Sequence, residues 1–418
     1  MNKHLKSETQ NSKLILAIDT SCDETAVAIS HGRRILTNVI ASQVELHKKY
    51  GGVYPIEAKR AHAEKIDDVI TEALTRTKLK IEDIDYLAVT IGPGLAPALE
   101  IGIEKIKSLA QQSDKPVIAV NHMEGHLLSC LAQNSKGTGK YASNNLSTSI
   151  LTRHARKTGQ SDNLILDPFR NTTDTPTKPS TDNLIFPALG FLISGGHTQL
   201  ILIKAIGKYE ILGTTLDDAA GECLDKVARM LGLGYPGGAI IEDFAQKGNT
   251  SAIDLPVPMH GKPGLNFSFS GLKTAALYEI RAKQNAGNRT MPTGGDQLVQ
   301  DIQWGLENLD KQFIYDMCVA TQDSVIQALL YRLKQAIHQY QPNQIWLGGG
   351  VAANNQLKKQ LRNLLKTEAP NITIGLPYDP KLYGDNAAMI ANAAYFQSLR
   401  NEFVTDLSTL DRLPRLSL

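Results

Sequence analysis

Apolar residues recur along this chain in two rhythms. The first is a short solid run broken by a small polar turn. Leu14-Ile15-Leu16-Ala17-Ile18 and Ala26-Val27-Ala28-Ile29 flank the segment from Asp19 to Thr25. That pattern predicts a hairpin of strand, polar turn and strand. It returns in the second half, where Leu189 to Ile193 and Leu200 to Ile203 flank Ser194-Gly195-Gly196-His197-Thr198-Gln199. Similar hairpins opening each half predict a unit used twice. Turns of Asp, Thr, Ser and Gly present hydroxyls and backbone N–H groups, a chemistry suited to phosphate oxygens.

The second rhythm is helical. After the bend Gly92-Pro93-Gly94, residues Leu99, Ile103, Ile106 and Leu109 share one face. Leu216 to Leu233 reads as an amphipathic helix stopped near Gly232. Phe313 to Tyr340 predicts a long helix with Ile314, Met317, Val325, Leu329 and Leu333 in the core. A strand at Gln344 to Leu347, a turn of Gly348-Gly349-Gly350 and a helix start at Ala352 to Asn355 follow. Strand, glycine turn and helix place free N–H donors where an anion can be held. The alternation of both rhythms makes the chain α/β.

Composition narrows the class. A chain of 418 residues with 42% hydrophobic and 21% charged residues can bury a core divided between two domains. No apolar run is long enough to span a bilayer, and the polar start Met1 to Lys6 lacks the apolar core of a secretory signal. Cys22, Cys130, Cys223 and Cys318 lack paired spacing, which points to reduced thiols and a cytoplasmic setting. A net charge of +2 supplies no global field for nucleic acid, so contact with RNA would use local patches. The segment from Ala132 to Asn183 is polar, lacks periodicity, and carries more cations than carboxylates. It reads as a flexible basic insertion able to meet RNA phosphates.

The sharpest chemistry is Asn121-His122-Met123-Glu124-Gly125-His126, directly after the strand-like Pro116 to Val120. Histidines four apart point from one helical face and form half of a metal site. On spacing alone the plainer reading is a helix turn with one ring packed and one solvated. The zincin pattern H-E-x-x-H puts its general base directly after the first histidine. Here Met123 stands there and Glu124 comes one later, which weakens a protease reading.

Taken in order, the blocks resemble the tRNA N6-adenosine threonylcarbamoyltransferase family, formerly labelled O-sialoglycoprotein endopeptidase. They are Asp19 to Thr25, Tyr50-Gly51-Gly52-Val53, Gly92 to Leu95, Asn121 to His126, Ser194 to Thr198, Leu216 to Asp225, Tyr235 to Gly238, Phe267 to Thr274, Gly349 to Asn354, and Asp385-Asn386-Ala387. The resemblance implies an α/β, two-lobed, actin-like ATPase fold (sugar kinase, heat-shock and actin) with a cleft between lobes. The organisation expected is a disordered lead at 1–13, an N-terminal lobe at 14–131, and the basic insertion at 132–183. A C-terminal lobe at 184–398 with a small insertion at 285–297, and a tail at 399–418 packing on the lobes, complete it.

The resemblance also implies a divalent metal, iron (Fe2+) or zinc, on His122, His126 and Asp385. It implies substrate contacts at Leu192, Ile193, Ser194, Gly195, Gly196, Asp225, Gly238, Glu242 and Asn354. The activity implied is transfer of threonylcarbamoyl from threonylcarbamoyl-AMP to N6 of adenosine 37 in tRNAs reading codons that begin with adenine. The partners implied are tRNA, a homologous non-catalytic subunit and a small ATPase, with no membrane. A metal-dependent glycoprotease is the alternative. A small-molecule kinase of the same superfamily would leave the histidine pair without a role, and a non-catalytic scaffold would not need the His–His–Asp set. The chain departs from the family pattern at Ile56, at Pro97 and Glu100, and at Tyr383-Gly384. None of these is a proposed ligand.

Overall fold

The structure is a computed structural model describing residues 12–48, 50–135, 184–286 and 309–418. Most of the expected lead and of both insertions lies outside these residues. The chain forms two compact units. The first comprises residues 1–43, 55–184 and 374–418, and the second residues 44–54 and 185–373.

In chain order, β1 (Leu14–Asp19), β2 (Glu24–His31) and β3 (Arg34–Ser42) lead to the short α1 (Val44–Lys48). Then come α2 (Pro55–Thr77), β4 (Tyr86–Gly92), α3 (Ala96–Ser113), β5 (Val117–Asn121), α4 (His122–Leu128) and β6 (Gln133–Asn134). The second sheet takes β7 (Ala188–Ile193), β8 (Thr198–Ala205) and β9 (Lys208–Thr214). Helices α5 (Ala220–Met230), α6 (Gly237–Ala245), α7 (Ser270–Ala286) and α8 (Lys311–Tyr340) follow. The chain continues through β10 (Gln344–Gly348), α9 (Asn355–Glu368), β11 (Thr373–Gly375) and α10 (Ala387–Leu399).

The two sheets share one plan. The first runs β5-β4-β1-β2-β3-β6 and the second β11-β10-β7-β8-β9. In each, the opening hairpin is antiparallel and its first strand pairs in parallel with the strand after the crossover, β1 with β4 and β7 with β10. The repeated hairpin read from the apolar runs is therefore a repeated sheet. Register follows burial: β1 from Ile15 and the whole of β7 are buried, as solid apolar runs covered on both faces must be.

The predicted helices form. Leu99, Ile103 and Ile106 of α3 join the first unit's core, with Leu109 packed against it. All five core candidates of α8 are buried. The helix expected from Leu216 begins only at Ala220. Asp217 leaves the helical path to accept from Ser268 Oγ, Phe269 N, Ser270 N and Ser270 Oγ. Likewise Gly350–Ala353 is a 3-10 turn, and α9 starts at Asn355 behind its cap Asn354.

Residues 374–398, expected within the C-terminal lobe, cluster with the first unit. Helix α10 packs on β1, β2, β5 and α4. Its sequence, Ala387 to Leu399, is apolar nearly all round, and a helix of that kind must be enclosed. The C-terminal tail binds the same unit. Leu413 N donates to Ile91 O (2.7 Å), Gly94 N to Pro414 O (3.2 Å) and Asn121 Nδ2 to Ser417 O (3.0 Å).

Candidate functional site

Helix α4 begins at its first histidine because Asn121 caps it, accepting from Met123 N (2.8 Å) and Glu124 N (3.3 Å). Helix α10 begins the same way, with Asn386 accepting from Met389 N at 3.1 Å. His122 and Asp385 each adjoin one of these caps, and Gly125 lets the two helices meet. A Cβ there would stand 2.9 Å from Ile390 Cδ1 and 3.2 Å from Met389 Cγ. Asn392 Nδ2 donates to Leu128 O at 2.7 Å and fixes the register.

The result brings three side chains together across 259 positions of sequence. His126 Nε2 lies 3.1 Å from Asp385 Oδ1, and His122 Nε2 lies 3.4 Å from the same oxygen. Both rings are buried and stand edge to face, with centroids 4.7 Å apart. Atoms bound to one ion at ~2.1 Å stand ~3.0 Å apart at a right angle and ~3.4 Å apart at the tetrahedral angle. The observed separations fall in that range, so the donor set fits a single divalent ion.

The surroundings are acidic. Asp19, Thr20, Ser21 and Asp23 in the β1–β2 turn are buried, and Cys22 and Asp23 stand with Asp385 in a second close group. The donor-rich bend expected here is enclosed, with Asp19 and Asp23 among its buried residues. Burial alone would keep His122 neutral, yet Asp385 and Asp19 raise it to about 10. Burial likewise works against ionised Asp385, but His122 and His126 hold it well below the usual carboxylate range. Burial, opposed by the Ser42 hydroxyl and reinforced by Asp23 and Asp385, pushes Glu24 up to about 8. The pocket of charge calls for a cation, which a proton or a metal ion supplies. Asp19 was not singled out as a site residue from sequence, although a carboxylate ending a solid apolar strand was the available signal.

The expected substrate residues fall together in the second unit. Leu192 and Ile193 end β7, and Ser194-Gly195-Gly196 form the β7–β8 turn. Ser194 N donates to His197 O (2.8 Å), and Glu222 N at the start of α5 donates to Gly195 O (3.0 Å). Gly221 permits that approach, since a Cβ would meet Ser194 O at 2.7 Å. Asp225 of α5 accepts from Gly237 N (2.7 Å) and Gly238 N (3.2 Å) at the start of α6. Glu242 of α6 accepts from Asn355 N (2.8 Å), the residue after Asn354. Asn354 in turn accepts from Leu357 N and donates to Gln322 Oε1. One chain of contacts thus links the glycine turn to three helix starts.

Glu124, the one carboxylate inside the histidine motif, is buried and lies 3.4 Å from Arg400 Nη2. It is held in an ion pair and not presented to water, which disfavours the glycoprotease alternative. Among the described residues, no helix is long and apolar enough to cross a membrane.

Twin α/β sheets carry a His–His–carboxylate group that could hold a metal ion in one unit and a glycine turn against helix starts in the other. Comparison with known proteins gives the family. The family model for tRNA N6-adenosine threonylcarbamoyltransferase matches residues 34–141 and 175–392. The protein of that name from Thermosipho africanus is 36% identical over 97% of this chain and 100% of its own length. That from Symbiobacterium thermophilum is 40% identical over 92% of this chain and 91% of its own. The chain belongs to the tRNA N6-adenosine threonylcarbamoyltransferase family. Among solved structures, HypF from T. kodakarensis is similar over 94% of this chain and 48% of its own, at 12% identity and a TM-score of 0.49.

Proposed function

We propose that this chain transfers the threonylcarbamoyl group from threonylcarbamoyl-AMP to N6 of adenosine 37 in tRNAs reading codons that begin with adenine. The convergence of His122, His126 and Asp385 in a chain of this family is the observation that carries the reading. These three residues would hold one divalent ion, iron (Fe2+) or zinc. When bound, that ion supplies a positive charge that polarises an oxygen of the substrate.

The remaining work belongs to the chain. The open turn Ser194-Gly195-Gly196 lets an adenylate phosphate reach backbone N–H groups without meeting side chains. The carboxylates of Asp225 and Glu242 suit ribose hydroxyls, because an ionised carboxylate is an acceptor and a ribose diol supplies two donors. Gly238 and Asn354 complete the binding surface, and Leu192 and Ile193, buried in β7, hold its turn from beneath. In the reaction N6 bonds to the carbamoyl carbon, the mixed-anhydride C–O bond breaks, and AMP leaves with the electron pair. The N6 proton departs to the phosphate or to solvent. An exocyclic amine is weakly basic, so holding it in line with the carbonyl contributes most of the acceleration. Adenosine 37 must be unstacked to enter, as bases of RNA loops are when proteins read them.

The same reading assigns the actin-like ATPase fold with a cleft between lobes, cytoplasmic residence, and assembly with a homologous non-catalytic subunit and a small ATPase. The test is direct. Purified chain, those partners, threonylcarbamoyl-AMP and unmodified tRNA are combined, and digested nucleosides are analysed by mass spectrometry. Threonylcarbamoyladenosine that depends on the chain supports the proposal. Unmodified adenosine with partners shown to be competent overturns it.

A further inference from the structure

The two histidines differ on their far sides. His126 Nδ1 is buried with no hydrogen-bond partner among the described residues. His122 Nδ1 instead faces Asp19 Oδ2 at 3.7 Å, and neither atom has a hydrogen-bond partner among the described residues. Asp19 is fully buried, at 0% exposure. Its other oxygen accepts from Ser21 N at 3.2 Å, which aims Oδ2 at the ring. Leaving a buried carboxylate oxygen unsatisfied is costly unless it serves a cation or a donor close by.

Asp19 is also held in place from three directions. Leu95 N donates to Ser21 O (2.8 Å), and Gly94 comes so close that a Cβ would stand 2.6 Å from that oxygen. Gly102 leaves room for Thr20, whose Oγ1 a Cβ would meet at 2.6 Å. His62, from α2, grips the turn with Nδ1 2.8 Å from Thr25 Oγ1 and Nε2 3.1 Å from Cys22 O.

We infer that Asp19 is a positioning residue for the metal centre: it accepts Nδ1–H of His122 and so fixes the tautomer that offers Nε2. A carboxylate behind a ligating histidine orients the ring and strengthens its donor atom. The inference rests on the proposal that His122, His126 and Asp385 hold a metal, and its test separates the two.

Affinity for Co2+ is measured by visible absorption and chelator competition in the full chain, in Asp19→Asn, in Asp19→Glu and in His126→Ala, with the melting temperature of each. Asp19→Asn keeps the shape and loses the charge, and the expected result is roughly 10–100-fold weaker binding with an unchanged fold. In a His122→Asn background the same change should have no further effect, because Asp19 acts through His122. If His126→Ala loses the ion while Asp19→Asn binds like the native chain, the inference falls and the metal site stands. If His126→Ala also binds like the native chain, the metal reading itself falls and takes the inference with it. Should Asp19→Asn fail to fold, Asp19→Glu decides: displaced by one methylene, it should weaken binding, and native affinity overturns the inference.

Discussion

The two units open on the same hairpin and make opposite use of its turn. The β1–β2 turn is buried, lined with Asp19 and Asp23, and pressed against Gly94, Gly102 and His62. The β7–β8 turn carries exposed Gly195 and Gly196, with open space where their Cβ atoms would lie. One turn concentrates negative charge around a pair of histidines. The other offers bare backbone near the start of a helix. A single topology therefore supports the two sites proposed above, one for a cation and one for an anion, and the side chains at two turns distinguish them.

Removing a ligand from the first unit should have the largest effect. His126→Ala or Asp385→Ala is expected to abolish stoichiometric metal and to lower kcat/KM at least roughly a hundredfold, since polarisation by an ion contributes several kcal/mol. Metal analysis and the nucleoside assay read the two effects on the same preparation. An active variant without metal would break the comparison, because the acidic turn would then have no ion to serve.

The glycines beneath each turn should give the next largest effects, and they should separate. In Gly94→Ala the new methyl meets Ser21 O, while in Gly221→Ala it meets Ser194 O and Gly195 Cα at 2.7 and 2.8 Å. Each clash is with backbone and should cost about 1–3 kcal/mol. Gly94→Ala is expected to weaken metal binding and leave KM for the adenylate near its native value. Gly221→Ala is expected to raise that KM and leave metal content intact. If both variants shift both quantities, the two turns are not independent. Gly195→Ala refines the point: nothing lies within 4 Å of its Cβ, so stability should change by less than about 0.5 kcal/mol. A raised KM at unchanged melting temperature would mark the turn as a ligand surface.

How far the sequence carried each unit follows from the physics of its segments. Solid strands and the helices α3 and α8 were legible because one face or a whole run is apolar, and that periodicity survives without knowledge of the neighbours. Helix α10 falls in the first unit, which its own pattern does not foretell, because an evenly apolar helix carries no directional signal about what encloses it. The histidine pair was visible from spacing, but its third member was not. Asp385 lies 259 positions from His126, and only the resemblance to a family joined them. The β1–β2 turn is more enclosed than its own Thr and Ser suggest, because Gly94 and Gly102 bring β4's bend and α3 down upon it. Close approach through distant glycines leaves no local pattern to read.

The smallest expected effect concerns acid, and it should touch the second unit through a carboxylate outside both turns. Asp217 caps the entry to α7: Ser268 Oγ and Ser270 Oγ each donate at 2.6 Å, Phe269 N at 2.7 Å and Ser270 N at 3.2 Å. Burial alone would raise its pKa, but the two hydroxyls and two backbone donors outweigh that and hold it below the usual carboxylate value. A depressed folded-state pKa means that the carboxylate stabilises the fold at every pH above its unfolded value, ~3.9. That contribution fades as pH falls through the lower folded-state value. Asp217 is exposed, so solvent screens these bonds and the effect is modest. Melting temperatures of the native chain and Asp217→Asn should differ by a constant amount from neutral pH down to about 5 and converge below about 4. A gap that stays constant through pH 3 would show that neutral hydrogen bonding, and not the charge, anchors α7, and the acid sensitivity of the second unit would have to lie elsewhere.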